Sequence, residues 1–230
     1  LLTKELPFKV NKEIPIAIAD DRIFHFQYPD TKEFLNEIGI PTISWNIFND
    51  DEIPKEARAI IIPGGFPERY SEHISTSKKS LKSLREFQKK GLIYAECGGM
   101  MILGESIRDE KGESHNMAGI LPFKSKRGNL TVGYRYIKGV KDSLIIKENE
   151  LTRGHEFHYW QIEPSNNLLN NIQNDFLNKA NNPWEIKSWG NNYQDEGWST
   201  NNIHASWVHI HFPSNEKVLG NFITTLQNHI

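Results

Sequence analysis

Apolar residues in the first hundred positions fall into two alternating kinds of segment. Ile14-Pro15-Ile16-Ala17-Ile18-Ala19, Pro41-Thr42-Ile43-Ser44-Trp45, Ala59-Ile60-Ile61-Ile62 and Leu92-Ile93-Tyr94-Ala95 are short, β-rich and nearly continuous in hydrophobicity. Between them, Thr31 to Ile38 places Phe34, Leu35 and Ile38 on one helical face before Gly39. Ser77 to Lys90 does the same with Leu81, Leu84 and Phe87 before Gly91. Glycine directly after the last periodic residue is a helix stop. Strands apolar on both faces, separated by amphipathic helices, predict a parallel sheet covered on each side.

The second half has another rhythm. Met117 to Trp160 is strand-rich and punctuated by Gly133, Gly139 and Gly154. Asn166 to Asn192 is polar and Asn-laden, which predicts a mixture of helix and loop. Trp198 to Phe212 returns to strand character, and Ser214 to His229 predicts a closing helix.

The chemistry concentrates where apolar strands end. Tyr94-Ala95-Glu96-Cys97-Gly98-Gly99-Met100 runs a buried strand into a cysteine with small residues at the second position on each side, Ala95 and Gly99. A nucleophile elbow needs that spacing, because strand and helix backbones approach closely around a strained central residue. There a thiol lies near a helix N-terminus, whose dipoles favour thiolate, and the Gly98 amide faces a developing oxyanion. A small buried cysteine without function is the competing reading. Pro63-Gly64-Gly65-Phe66-Pro67-Glu68 follows the third strand, and its paired glycines leave backbone N–H groups unobstructed. In an open parallel sheet, ligands bind at this carboxyl edge; a plain tight turn is the alternative.

A thiol nucleophile needs a base, usually histidine, and the chain has nine. His209 and His211 share a strand face by the period of two, and either could reach a nucleophile. Gly154-His155-Glu156-Phe157-His158-Tyr159 offers two more, whereas His25, His73, His115, His204 and His229 suit surface or structural roles. A metal site built on His209, His211 and Glu156 is the weaker alternative. The His155–His158 spacing is one residue short of the helical zinc motif, and its neighbours favour strand.

Length and charge narrow the class. The 230 residues suffice for one α/β domain with a sizeable core. Net charge is −2, which gives no global field for nucleic acid or an anionic membrane, and no apolar run approaches the roughly 18–20 residues of a membrane span. A single cysteine forbids an intrachain disulfide and suits the cytoplasm. Leu1-Leu2-Thr3-Lys4 lacks an initiator methionine, so the chain reads as a piece of a longer protein, with residues 1–12 a linker remnant and 13–230 the domain.

Six segments in order resemble the class I glutamine amidotransferase domain of cobyrinic acid a,c-diamide synthases. They are Ala17–Asp20 with Phe24–Pro29, Pro63–Glu68, Ala95–Met101, Gly133–Arg135, Gly154–Tyr159 and Ala205–Phe212. The resemblance implies a flavodoxin-like three-layer α/β sandwich with a mostly parallel central sheet, hydrolysing glutamine to glutamate and ammonia. Ammonia would pass to a preceding synthetase domain that uses ATP and Mg²⁺ to activate carboxylates of cobyrinic acid. No Gly-x-x-x-x-Gly-Lys-Ser/Thr loop occurs here, so that domain is expected elsewhere, with no cofactor or metal in this one and a homodimer left open.

By the same resemblance Cys97 is the nucleophile, His209 the base, and Gly65 and Gly98, with Gly64 beside them, form the oxyanion site. Arg135, Glu156 and His158 are expected to shape the substrate pocket. Trp207 replaces the commoner Tyr, and Trp160 stands where Ser is usual. Most class I members carry a Glu two residues after the base; here that position is His211, a candidate orienter, and the third member of a triad is undetermined. Related branches remain as alternatives: cobyric acid synthase, a nickel-tetrapyrrole diamide synthase, a cell-wall lipid amidase, or a non-catalytic tetrapyrrole-binding module.

Overall fold

A computed structural model describes residues 10, 14–165 and 182–229. The central sheet contains β1 (Ile16–Ala19), β2 (Thr42–Trp45), β3 (Ala59–Ile62), β4 (Leu92–Glu96), β11 (Trp198–Ser199) and β12 (Ile203–Ser206). Their order is β11-β12-β4-β3-β1-β2, parallel throughout except for β11. The run β2-β1-β3-β4-β12 is the flavodoxin-like order, and the expected three-layer sandwich follows from how its faces are covered.

Alternation along each strand sends side chains to opposite layers. Ile16, Ile18, Ile61 and Tyr94 pack with Leu35 of α1 (Pro29–Glu37) and with Val218, Leu219 and Phe222 of α5 (Glu216–Asn228). Ala17, Ile60, Ile62 and Ile93 pack on the other side with Leu81, Leu84 and Phe87 of α3 (Lys78–Phe87) and with α4 (Gly98–Leu103). Pro29 opens α1 with no helical N–H to lose. A short α2 (Ser71–Thr76) precedes α3.

The strand-rich half builds a second sheet. β5 (Ser106–Arg108), β6 (Ser114–Asn116), β7 (Phe123–Gly139), β9 (Trp184–Lys187) and β10 (Gln194–Glu196) line up as β10-β9-β7-β5-β6, and β8 (Leu151–Pro164) forms a long antiparallel hairpin with β7. β8 also touches the carboxyl edge of the central sheet through an antiparallel bridge between His155 and His209. Gly154 makes that approach feasible, since a Cβ there would lie 2.4 Å from Val208 Cγ1 and 2.6 Å from the His209 carbonyl oxygen.

Three expectations change. The Asn-rich stretch contains strand β9, because Trp184 and Ile186 are buried and pair with β7; residues 166–181 lie outside the described residues. Trp198 to Phe212 is two short strands, after which the chain leaves the sheet at Trp207, whose amide is taken by Glu196 Oε1 at 2.8 Å. His209 and His211 therefore lie beyond the last strand and not within one. Of the linker expected over residues 1–12, all but Val10 falls outside the described residues.

Candidate active site

Cys97 sits between β4 and α4 with φ 47° and ψ −110°, a backbone region that side chains rarely occupy. The elbow is locked from both sides. The Cys97 amide donates to the Ser206 carbonyl at 2.7 Å, and a Cβ on Gly99 would come within 2.2 Å of the Ile62 carbonyl oxygen. Gly98 is equally confined, with its hypothetical Cβ 2.9 Å from the Gly65 nitrogen. The β3 and β4 loops thus meet, bringing the Gly65 and Gly98 backbones together beside the sulfur. Gly65 needs its bare Cα because Ile23 backbone lies against it, the Ile23 carbonyl oxygen 2.0 Å from where a Cβ would be.

His209 approaches from β12, whose Ser206 pairs with Glu96 next to Cys97. It is 2% exposed and tightly seated. A Cβ on Gly64 would lie 2.3 Å from its Cε1, and the His155 ring stacks on it with centroids 4.9 Å apart. Its backbone exchanges hydrogen bonds of 2.8 and 3.2 Å with His155. His155 had no assigned role in the sequence, yet it fixes both the backbone and the ring plane of His209.

The group facing His209 Nδ1 is Glu96, with Oε2 at 3.6 Å. Glu96 Oε1 accepts the Ile210 amide at 2.8 Å and the Tyr94 hydroxyl. With Nδ1 turned to a carboxylate, Nε2 is the ring nitrogen that Glu96 does not engage. His211 does not fill the expected orienter position. It is part-exposed at the surface, its Nε2 2.9 Å from Asp30 Oδ2 and its Nδ1 2.8 Å from Ser214 Oγ. The sequence did carry a signal for Glu96, a lone acid closing an otherwise apolar buried strand.

Electrostatics keep the resting pair neutral. Burial, reinforced by Glu68, Glu96 and Glu156, pushes the Cys97 thiol well above its usual range, and only the Gly98 amide opposes this. Burial, with His155 and His158 nearby, lowers His209 to about 3. Burial also raises Glu96 to about 7. These shifts favour the uncharged thiol and the uncharged imidazole in this buried arrangement.

The sulfur opens on a pocket of about 30 Å³ lined by Phe26, Gly65, Phe66, Glu68, Met101 and the β8 residues Phe157 to Trp160. The Phe157 carbonyl is 3.9 Å from Sγ, and the Phe26 ring lies between those of Phe66 and Phe157. Of the expected pocket-shaping residues, His158 alone borders this space, its ring stacked 4.1 Å from Trp207. Arg135 and Glu156 form a buried ion pair in an adjacent cavity of about 240 Å³ that His158 also borders. A larger cleft of about 1020 Å³ lies on the other side of His209, lined by Tyr28, Tyr134, Arg153, His155 and His211.

Among the described residues, the grouping of side chains close enough to share a metal is Asp109, Glu113 and His115, around the β5–β6 turn, and none of the three lines the pocket at Cys97. The combination His209, His211 and Glu156 does not assemble there. No helix among the described residues is long and apolar enough to cross a membrane.

A cysteine on an elbow, a buried histidine facing an acid and paired backbone amides gather at one sheet edge, residue types that suit acyl transfer from an amide. Comparison with known proteins agrees. The chain is 32% identical over 213 residues to cobyrinate a,c-diamide synthase of Salmonella typhimurium, covering 91% of this chain and 44% of that protein. It is 34% identical over 207 residues to the Listeria innocua protein of the same name, covering 89% of this chain and 43% of that one. The chain therefore spans less than half the length of these curated relatives. Among solved structures, a glutamine amidotransferase from Thermotoga maritima superposes with a TM-score of 0.57 at 13% identity, covering 94% of this chain and 85% of that chain. PurLQS from the same organism gives 0.59 at 12% identity, covering 94% and 99%; both likenesses concern the fold. The sequence profile of one family matches residues 15–217, and the chain belongs to it: the CobB/CobQ-like glutamine amidotransferase domain family.

Proposed function

We propose that this chain hydrolyses glutamine and delivers ammonia to the synthetase part of a cobyrinate a,c-diamide synthase. The observation that carries this reading is Cys97 on a strained elbow, with Gly65 and Gly98 amides beside it and His209 backed by Glu96. Residues 13–230 act as one glutaminase domain, and residues 1–12 connect it to the ATP- and Mg²⁺-dependent domain. The names of the relatives and the unmatched half of their length support that arrangement. The acceptor is then cobyrinic acid, and the working compartment the cytoplasm. Nothing in the reaction requires a homodimer.

The geometry supports the following chemistry. His209 Nε2 takes the Cys97 proton as sulfur attacks the amide carbon of glutamine. Negative charge passes to the amide oxygen, which faces the Gly65 and Gly98 amides. The imidazolium, stabilised by ionised Glu96, returns its proton to the departing nitrogen, and the C–N bond breaks to give ammonia and a γ-glutamyl thioester. Water, deprotonated by His209, then cleaves the thioester to glutamate and restores the thiol. The pocket at the sulfur is far smaller than glutamine, so substrate entry requires the Phe26, Phe66 and Phe157 rings to part.

The test is Cys97→Ala in the full-length enzyme. Glutamine-dependent amidation should vanish while free ammonia still supports the reaction, and a glutamine-like diazo-ketone should label Cys97 in the parent. Full glutamine-dependent activity in the variant, or label on another residue, sinks the reading.

A further inference from the structure

Glu68 is an acid in an unexpected place. It lies in the 3₁₀ turn Pro67–Tyr70 that follows the Gly64-Gly65 loop, and is only 7% exposed. It borders the same small pocket as Cys97 and His158. The rest of that wall is mostly aromatic or apolar: Phe26, Phe66, Met101, Phe157, Tyr159 and Trp160. A buried carboxylate normally has a cationic or hydrogen-bonding partner. The nearby cations are engaged elsewhere. The Arg69 guanidinium lies 4.6 Å over the Phe66 ring. Arg127 pairs with Glu110 at 3.8 Å and lies near the Tyr159 and Trp160 rings. Among the described residues no ion pair to the Glu68 carboxylate is formed.

We propose that Glu68 is the acceptor for the α-ammonium group of the glutamine substrate, and so selects an α-amino acid amide over a simple carboxamide. This rests on the glutaminase reading above and names the part of the site that reads the far end of the substrate. Glutamine carries its ammonium a few carbons from the amide that must reach Cys97, so both groups have to be met within one pocket. Of the side chains bordering that pocket, Glu68 alone can offer an anion to a cation. Its neighbours agree with such a role. Burial holds the carboxyl up at about 7, with Glu110 adding to the rise, while its own backbone amide, Arg69 and Arg127 oppose it; Cys97 and His158 face it across the pocket. An arriving ammonium supplies the missing counter-charge, favours the ionised form, and makes affinity rise with pH toward and through about 7.

The experiment is titration calorimetry on Cys97→Ser, which binds without turning over, using glutamine and 4-carbamoylbutanoate, the analogue lacking only the α-amino group. Adding Glu68→Gln should weaken glutamine at least tenfold, leave the analogue within twofold, and flatten the rise of glutamine affinity with pH. Glu68→Asp, which keeps the charge on a shorter arm, should show a smaller loss with the same selectivity. Equal losses on both ligands from both variants, or no loss on glutamine, overturn the assignment while leaving the glutaminase reading intact. If Cys97→Ser binds no glutamine at all, the glutaminase reading fails and this one with it.

Discussion

Replacing Glu96 with Gln probes the part of the site that departs most from expectation. The amide keeps the shape and can still accept from the Ile210 amide and the Tyr94 hydroxyl. It removes the charge that stands 3.6 Å from His209 Nδ1. At an effective dielectric of about 20, an ion pair at that separation is worth roughly 4–5 kcal/mol. That energy counts only while His209 is an imidazolium, during attack and proton return. The Gln dipole recovers part of it, so the loss should be about 2.7–4 kcal/mol, or roughly 10²–10³-fold in kcat. Glu96 titrates at about 7, so the parent kcat at saturating glutamine should rise with pH through that value and level off above it. The variant should lose this limb. Stability should move the other way. A carboxyl raised above its unfolded value contributes stability that is present below about 4.5 and lost as pH rises through about 7. At pH ~8 the neutral Gln should therefore unfold no more easily than the parent. Glutamate release against pH, together with urea unfolding, measures both effects. A variant within threefold of the parent at pH ~8, with its acid limb unchanged, would refute the orienting role.

Two further outcomes follow from the same geometry. His209→Ala should cost glutaminase activity by about 10²–10⁴-fold, whereas His211→Ala should cost less than about tenfold, because its ring is occupied by Asp30, Ser214 and Tyr28 at the surface; steady-state rates on glutamine decide it, and a reversed ranking moves the base to His211. At position 97, φ 47° carries about 1–3 kcal/mol of strain for any residue with a Cβ. Cys97→Gly should therefore be as stable as Cys97→Ala or up to about 1 kcal/mol more stable, although Gly ordinarily costs about 0.5–1 kcal/mol; a Gly variant weaker by more than that in urea unfolding would show the elbow to be relaxed.

Much of this protein was legible in the chain because its signals are local. The apolar runs at Ile16–Ala19, Ala59–Ile62 and Leu92–Ala95, alternating with one-sided helices, need neighbours on both faces, and a parallel sheet between helix layers supplies them. The elbow was legible for the same reason. Ala95, Cys97, Gly98 and Gly99 meet their steric requirement within a single strand-to-helix turn. What pairs with what across the fold was not written locally. A Glu at the end of β4 and a His beyond β12 become partners only because those two strands lie side by side. The period of two placed His211 beside His209, but the chain leaves the sheet after Ser206, and an alternation rule does not apply where there is no strand. His155 stacks on His209 only because the β7–β8 hairpin folds back over the sheet edge. Nothing in the Pro63–Glu68 segment singles out its acid; the surrounding aromatic rings bury it in the pocket at the sulfur. The sequence by itself determined the layers and the elbow that carries Cys97. Tertiary structure decided which groups surround Cys97, because burial and proximity between distant segments exist only once the sheets have packed.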